Sequence, residues 1–213
     1  DRRARWQREH DRRFGAVRAT EDRARSSKTI STALLCRELN GTMPPDTIYV
    51  DESVIHNPLL HEFLNWETPH SYFRVPSGLG QGLGLALGTK LGARPRPVVL
   101  LVGDGSFLYN PVLPSLMFSK DQDLPILVII LNNNTYEVMR KIHLNWYPSG
   151  VAAREKLFYG VHINGPDYST VANLTGGHGS RVDQPAALND ALAKALASVE
   201  GGRTAILNVM LDE

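Results

Sequence analysis

With 213 residues and 42% hydrophobic side chains, the chain can bury a full core, and its length favours one domain with at most an appendage. A net charge of +1 argues against a dedicated nucleic-acid binder, and the single Cys36 excludes an internal disulfide and fits a reducing, cytoplasmic compartment. No run approaches the length of a transmembrane helix and no signal-peptide pattern opens the chain, so no membrane role is expected; the first residue, Asp1, reads as the start of a fragment or a processed piece.

Residues 1–28 are dense in arginine, with Glu9, Asp11, Glu21 and Asp22 interleaved. The mixed signs favour a solvated helix, anchored by Trp6 and Phe14, over a nucleic-acid arm, and its position suggests a linker or the end of a preceding domain. An α/β rhythm begins at Thr29. Ile30, Ala33, Leu34 and Leu39 mark one face of a helix closed by Asn40-Gly41, and Pro44-Pro45-Asp46 leads into a strand over Thr47 to Val50. Asp51-Glu52-Ser53 then stands at a strand end, where Ser53 either touches a ligand or caps the next helix. Ser71 to Val75 reads as a strand, and Gly80 to Leu91 as a glycine-rich helix suited to close packing.

The organising stretch runs from Pro97 to Tyr136. Val98 to Val102 is apolar and rich in β-branched residues, the pattern of a strand buried on both faces, and it stops at Gly103-Asp104-Gly105. A second such run, Ile126 to Leu131, stops at Asn132-Asn133-Asn134, and Pro111 to Lys120 between them suits a crossover helix. Polar residues thus stand at two adjacent strand ends, where open parallel sheets bind their ligands. The Gly105 and Ser106 amides can serve an anion, and an acid beside them suggests a hard metal such as Mg²⁺, shared between oxygen ligands and phosphate.

Beyond the asparagines, Tyr136 to His143 reads as a short helix and Leu144 to Gly165 as an aperiodic loop carrying Trp146, Tyr147, Phe158 and Tyr159. His143, His162 and His178 have no metal-ligand spacing. The remainder returns to α/β: a helix near Tyr168 to Leu174, a strand near Ser180 to Val182, a helix over Pro185 to Val199 and a strand over Thr204 to Leu211. The architecture expected is a three-layer α/β fold with a six-stranded, mostly parallel sheet and helices on both faces.

Gly103-Asp104-Gly105, then the 26 residues Ser106 to Leu131, then Asn132-Asn133, resembles the diphosphate and metal signature of thiamine-diphosphate-dependent enzymes. The likeness is to the family of acetolactate synthase, benzoylformate decarboxylase and related 2-oxo acid decarboxylases, and it covers Thr29 to Asp212 as the diphosphate-binding domain of the thiamine-diphosphate-binding fold. The resemblance implies thiamine diphosphate and Mg²⁺ as cofactors, with Asp104 and Asn133 as side-chain metal ligands and the Thr135 carbonyl as a third. It implies Gly105, Ser106 and Tyr136 as donors to the diphosphate, with Ser53 or its neighbours nearby. In the glycine-rich turn Ser77-Gly78-Leu79-Gly80, Leu79 is implied as the apolar prop under the bent cofactor and the Ser77 carbonyl as acceptor from the aminopyrimidine. Where many relatives carry Gly, this chain has Ser77 and Glu137.

The resemblance assigns domain 29–213 to half of a decarboxylase or carboligase acting on a small 2-oxo acid. The cofactor takes up the electron pair released with CO₂. The carboxylate that activates the cofactor belongs to a pyrimidine-binding domain or subunit, so no catalytic residue is assigned here, and a homo-oligomer is expected. Two other readings remain: a non-catalytic cofactor-binding or regulatory module, and an unrelated nucleotide-binding α/β protein with a chance strand-end turn.

Overall fold

The computed structural model describes residues 1–66, 68–75 and 77–212; Glu213, the end of the expected 29–213 domain, lies outside them. The first element is helix α1 (Arg2–Arg25), followed by α2 (Thr32–Thr42), whose Ser31 hydroxyl accepts from the Leu34 amide at 3.3 Å. Then come β1 (Ile48–Glu52), α3 (Asn57–Phe63), β2 (Tyr72–Arg74), α4 (Gly82–Gly92) and β3 (Val98–Gly103). Beyond these are α5 (Asp104–Phe107), α6 (Val112–Asp121), β4 (Leu127–Asn132), α7 (Glu137–Trp146) and α8 (Val151–Glu155). A 3₁₀ helix (Tyr168–Thr175), β5 (His178–Val182), α9 (Pro185–Glu200) and β6 (Ala205–Met210) complete the order.

The six strands among the described residues form one sheet in the order β2-β1-β3-β4-β6-β5, and every neighbouring pair is parallel rather than mostly so. Parallel pairing follows from the crossovers: each strand is followed by helical chain that returns over a face of the sheet, which buries both faces and explains the unbroken apolar runs. Alternation along the strands divides the core. Tyr49, Val99, Leu101, Ile129 and Leu131 pack with α2, α3 and α9, whereas Val50, Leu100, Val102, Val128 and Ile130 pack with α4, α6 and the 3₁₀ helix. From β1 the chain moves outward to β2 and then returns across β1 to β3. The connections therefore diverge between β1 and β3, and a crevice opens at their C-terminal ends.

Several boundaries differ from expectation. β1 runs through Glu52, because Asp51 and Glu52 pair with Leu101 and Val102 and are buried. α7 extends to Trp146, and α8 lies within the segment expected to be aperiodic. The Tyr168–Thr175 turn is 3₁₀ rather than α. Trp6 and Phe14 do not anchor α1, being 63% and 51% exposed; its attachment comes from its C-terminal end, through Ala24 and Val17.

Candidate cofactor site

The C-terminal ends of β1, β3 and β4 and the turn before α4 surround a cavity of about 240 Å³. Asp104, Gly105, Ser106, Asn133, Thr135, Tyr136 and Leu79 line it, together with His56 and Glu137. Residues separated by more than fifty positions meet there because β1, β3 and β4 are consecutive in the sheet. Ser53, Ser77 and Gly78 are not among the lining residues. Ser53 does not cap α3, whose cap residue is His56; its amide donates to Asp51 Oδ1 at 2.7 Å and its buried hydroxyl has no partner. The Ser77 carbonyl accepts from Gln81 Nε2 at 2.8 Å, and Gly78 takes a positive φ of 78°.

Asp104 is 3% exposed. Its Oδ1 accepts from the Gly105 amide at 2.8 Å, while Oδ2 is buried without a hydrogen-bond partner. Burial pushes the carboxyl above its ordinary value, and the Gly105 and Asn134 amides and the charge of His56 pull the other way. An unsatisfied buried carboxylate oxygen is costly, so it signals an expected partner such as a cation.

The neighbouring loop is shaped by asparagine chemistry. Asn132 Oδ1 accepts from the Asn134 amide at 3.0 Å, and Asn133 Oδ1 from the Thr135 amide at 3.1 Å, two overlapping side-chain turns. Asn134 is left-handed at φ 56°, a conformation asparagine tolerates better than most residues. Asn132 also donates to Asn208 Oδ1 at 3.0 Å, and Asn208 to Asp167 at 3.1 Å, which secures the loop from β6. Thr135 bridges antiparallel to His162, with the bonds made by the flanking residues: Ile163 N–H to the Asn134 carbonyl and Tyr136 N–H to the Val161 carbonyl, both 2.8 Å. In that register the Thr135 carbonyl turns away from the paired segment.

One carboxylate oxygen, one carboxamide oxygen and one main-chain carbonyl from cavity-lining residues would offer a hard, oxygen-rich donor set with a single charge. Among the described residues no group of three or more His, Cys, Asp or Glu could hold a metal. A divalent ion here needs further anionic oxygens, which a diphosphate supplies, so the residues fit a metal diphosphate better than a metal alone.

Two features escaped the sequence reading. His56 is buried, with Nδ1 3.0 Å from the Thr32 hydroxyl, and lines the cavity; a lone histidine without ligand spacing carries no signal. Glu52 accepts from the Gly80 and Gln81 amides at 2.7 and 2.8 Å and from Asn110 at 2.7 Å, and only its place at a strand end hinted at a role. Glu137, which stands where many relatives carry Gly, is 8% exposed and clasped by Arg140, whose guanidinium holds its carboxyl below the usual range.

Residues 55–209 match the family described as thiamine pyrophosphate enzyme, C-terminal TPP binding domain. The chain belongs to this family. It is 24% identical over 177 residues to sulfoacetaldehyde acetyltransferase of Castellaniella defragrans, covering 82% of this chain and 28% of that protein. Against benzoylformate decarboxylase of Pseudomonas aeruginosa it is 29% identical over 161 residues, 75% of this chain and 29% of the relative. The solved thiamine diphosphate-dependent 4-hydroxybenzoylformate decarboxylase of Rhodococcus jostii RHA1 superimposes with a TM-score of 0.76 at 27% identity, covering 87% of this chain and 33% of that one. The chain therefore spans under a third of the length of these two curated relatives. As a thiamine pyrophosphate enzyme C-terminal domain it uses thiamine diphosphate as its cofactor, and the reading as an unrelated nucleotide-binding protein falls.

Proposed function

We propose that the cavity holds the diphosphate of thiamine diphosphate and its Mg²⁺, as part of a 2-oxo acid decarboxylase or carboligase. The observation that carries this reading is the buried, unpartnered Asp104 Oδ2 at the end of β3. Asp104, the Asn133 side chain and the Thr135 carbonyl would ligate the ion. Ser106 and Tyr136 would donate to phosphate oxygens, beside Gly105, whose amide already serves Asp104 Oδ1, with His56 and Ser53 on the β1 side. Leu79, 42% exposed at the cavity rim, offers an apolar support beside the diphosphate pocket, and Ser77 and Gly78 shape its turn. When bound, thiamine diphosphate supplies an electron sink for the pair released as a 2-oxo acid loses CO₂. This chain's share is to anchor, orient and screen: the metal ligands would hold the ion that offsets the diphosphate charge, the strand ends would fix its position, and Glu137 would close one side.

Activation of the pyrimidine requires a carboxylate from a pyrimidine-binding domain or subunit. Residues 1–28 would be a basic helical linker or the end of a preceding domain, domain 29–213 the binding unit, and the assembly a homo-oligomer in the cytoplasm acting on a small 2-oxo acid. Calorimetry of thiamine diphosphate with Mg²⁺ tests the site: Asp104→Ala abolishes metal-dependent binding, with Asn133→Ala weaker in the same direction, and unchanged affinity in Asp104→Ala overturns the assignment. Decarboxylation of pyruvate and aromatic 2-oxo acids is expected only after a pyrimidine-binding domain is supplied. Continued silence with that domain and cofactor present would favour a non-catalytic module.

A further inference from the structure

We propose that Glu52 and Asn110 form a buried latch that sets the position of the 77–82 turn against the Asp104–Ser106 segment, and thereby the fit of the cavity to a ligand touching both. The inference rests on the cofactor reading above. Glu52 is the last residue of β1 and 3% exposed, and Asn110, between α5 and α6, is 7% exposed. One carboxylate oxygen accepts from the amides of Gly80 and Gln81 at 2.7 and 2.8 Å, and the other from Asn110 Nδ2 at 2.7 Å. Asn110 Nδ2 also donates to the Ser106 carbonyl at 2.9 Å, while Asn110 Oδ1 accepts from the Leu83 amide at 3.0 Å. Two side chains therefore hold the turn that carries Leu79, the start of α4 and the segment that carries Ser106.

The surrounding packing leaves little slack. Gly80 adopts φ 93°, and a methyl group on it would lie 2.4 Å from the Tyr109 carbonyl oxygen, so the turn touches the chain leading to Asn110. A methyl on Gly82 would lie 2.6 Å from Glu52 Oε2. Three N–H donors converge on Glu52, a job suited to a carboxylate, which is acceptor-only when ionised; glutamine would turn an NH₂ group toward one of them. Neither Glu52 nor Asn110 lines the cavity. They are positioning residues, acting through Leu79 on one side and Ser106 on the other.

A ligand that spans both sides depends on the latch, and one confined to the diphosphate end does not. The test titrates the full chain and its Glu52→Gln and Asn110→Ala variants with thiamine diphosphate plus Mg²⁺ and, separately, with inorganic pyrophosphate plus Mg²⁺. The expected result is a loss of about tenfold or more for thiamine diphosphate and less than about threefold for pyrophosphate, the scale of one or two charge-assisted hydrogen bonds. The double variant should lose little more than the worse single one, because both belong to one unit. Should Glu52→Gln fail to fold by circular dichroism, Asn110→Ala decides the matter, since it cuts the links to Ser106 and Leu83 and spares Glu52's bonds to the turn. Equal losses for both ligands, or none, overturn the latch alone. A parent chain that binds neither ligand with Mg²⁺ overturns the cofactor reading and the latch with it.

Discussion

Tyr136 rests directly on the α-carbon of Gly105: a methyl group there would lie 2.3 Å from Tyr136 Cε1. The contact joins the end of β3 to the loop after β4, so the two halves of the proposed metal site are packed through one glycine. Gly105→Ala should destabilise the chain by about 1–3 kcal/mol, the usual scale of overpacking, and weaken metal-dependent cofactor binding. Adding Tyr136→Ala should recover part of the lost stability in urea unfolding. Purely additive losses would show that the two residues are not in contact.

Asp104 should exchange stability for binding. Its carboxylate is buried with one oxygen unpartnered, whereas an amide keeps the acceptor for the Gly105 amide and carries no charge. Asp104→Asn is therefore expected to melt higher than the parent in metal-free buffer, by about 2–4 °C for each kcal/mol of penalty relieved. The same variant should gain nothing from thiamine diphosphate with Mg²⁺. A lower metal-free Tm would mean that the charge is satisfied in the fold itself.

Leu79 is half-exposed at the cavity rim, so its truncation should leave stability within about 0.5 kcal/mol of the parent. In the assembled enzyme, Leu79→Ala should lower kcat more than it weakens diphosphate binding, because the phosphate anchors stay in place. Steady-state kinetics beside a cofactor titration check this. Equal losses, or a marked fall in Tm, would make Leu79 an ordinary packing residue.

Lys90 in α4 is 7% exposed and donates to the carbonyls of Arg94 and Arg96 at 2.7 and 2.9 Å, closing the turn into β3. Lys90→Met keeps the stem and leaves both carbonyls bare, a loss of about 1–3 kcal/mol. Burial, aided by Arg94, holds the amine below the ordinary lysine range. Between its folded value and the higher unfolded one, the unfolded chain binds more protons, so folded stability rises with pH in that window. The stability gap between parent and variant should therefore widen as pH climbs toward the ordinary lysine value. A gap that narrows contradicts the direction of the shift.

Much of the fold was legible from periodicity. Val98 to Val102 and Ile126 to Leu131 announce strands buried on both faces because both core layers reach them, and the helices between enforce parallel pairing. The spacing of Gly103-Asp104-Gly105 from Asn132-Asn133 marked the two loops that meet in the cavity. A segment with little burial was less legible. α8 has no buried residue, and its apolar side chains follow no interior pattern.

The sequence by itself determined which residue types stand at the strand ends, because backbone turns and cation ligands demand particular chemistry: glycine at a close approach, carboxylate and amide oxygens at a hard ion. Only the tertiary structure decided which of those residues face one another. Strand order brings the end of β1 beside that of β3, which places His56 at the cavity and turns Glu52 behind it to hold the glycine-rich turn. No local signal distinguishes those roles, since hydrogen bonds between residues 28 and 58 positions apart arise from the sheet and not from neighbouring sequence.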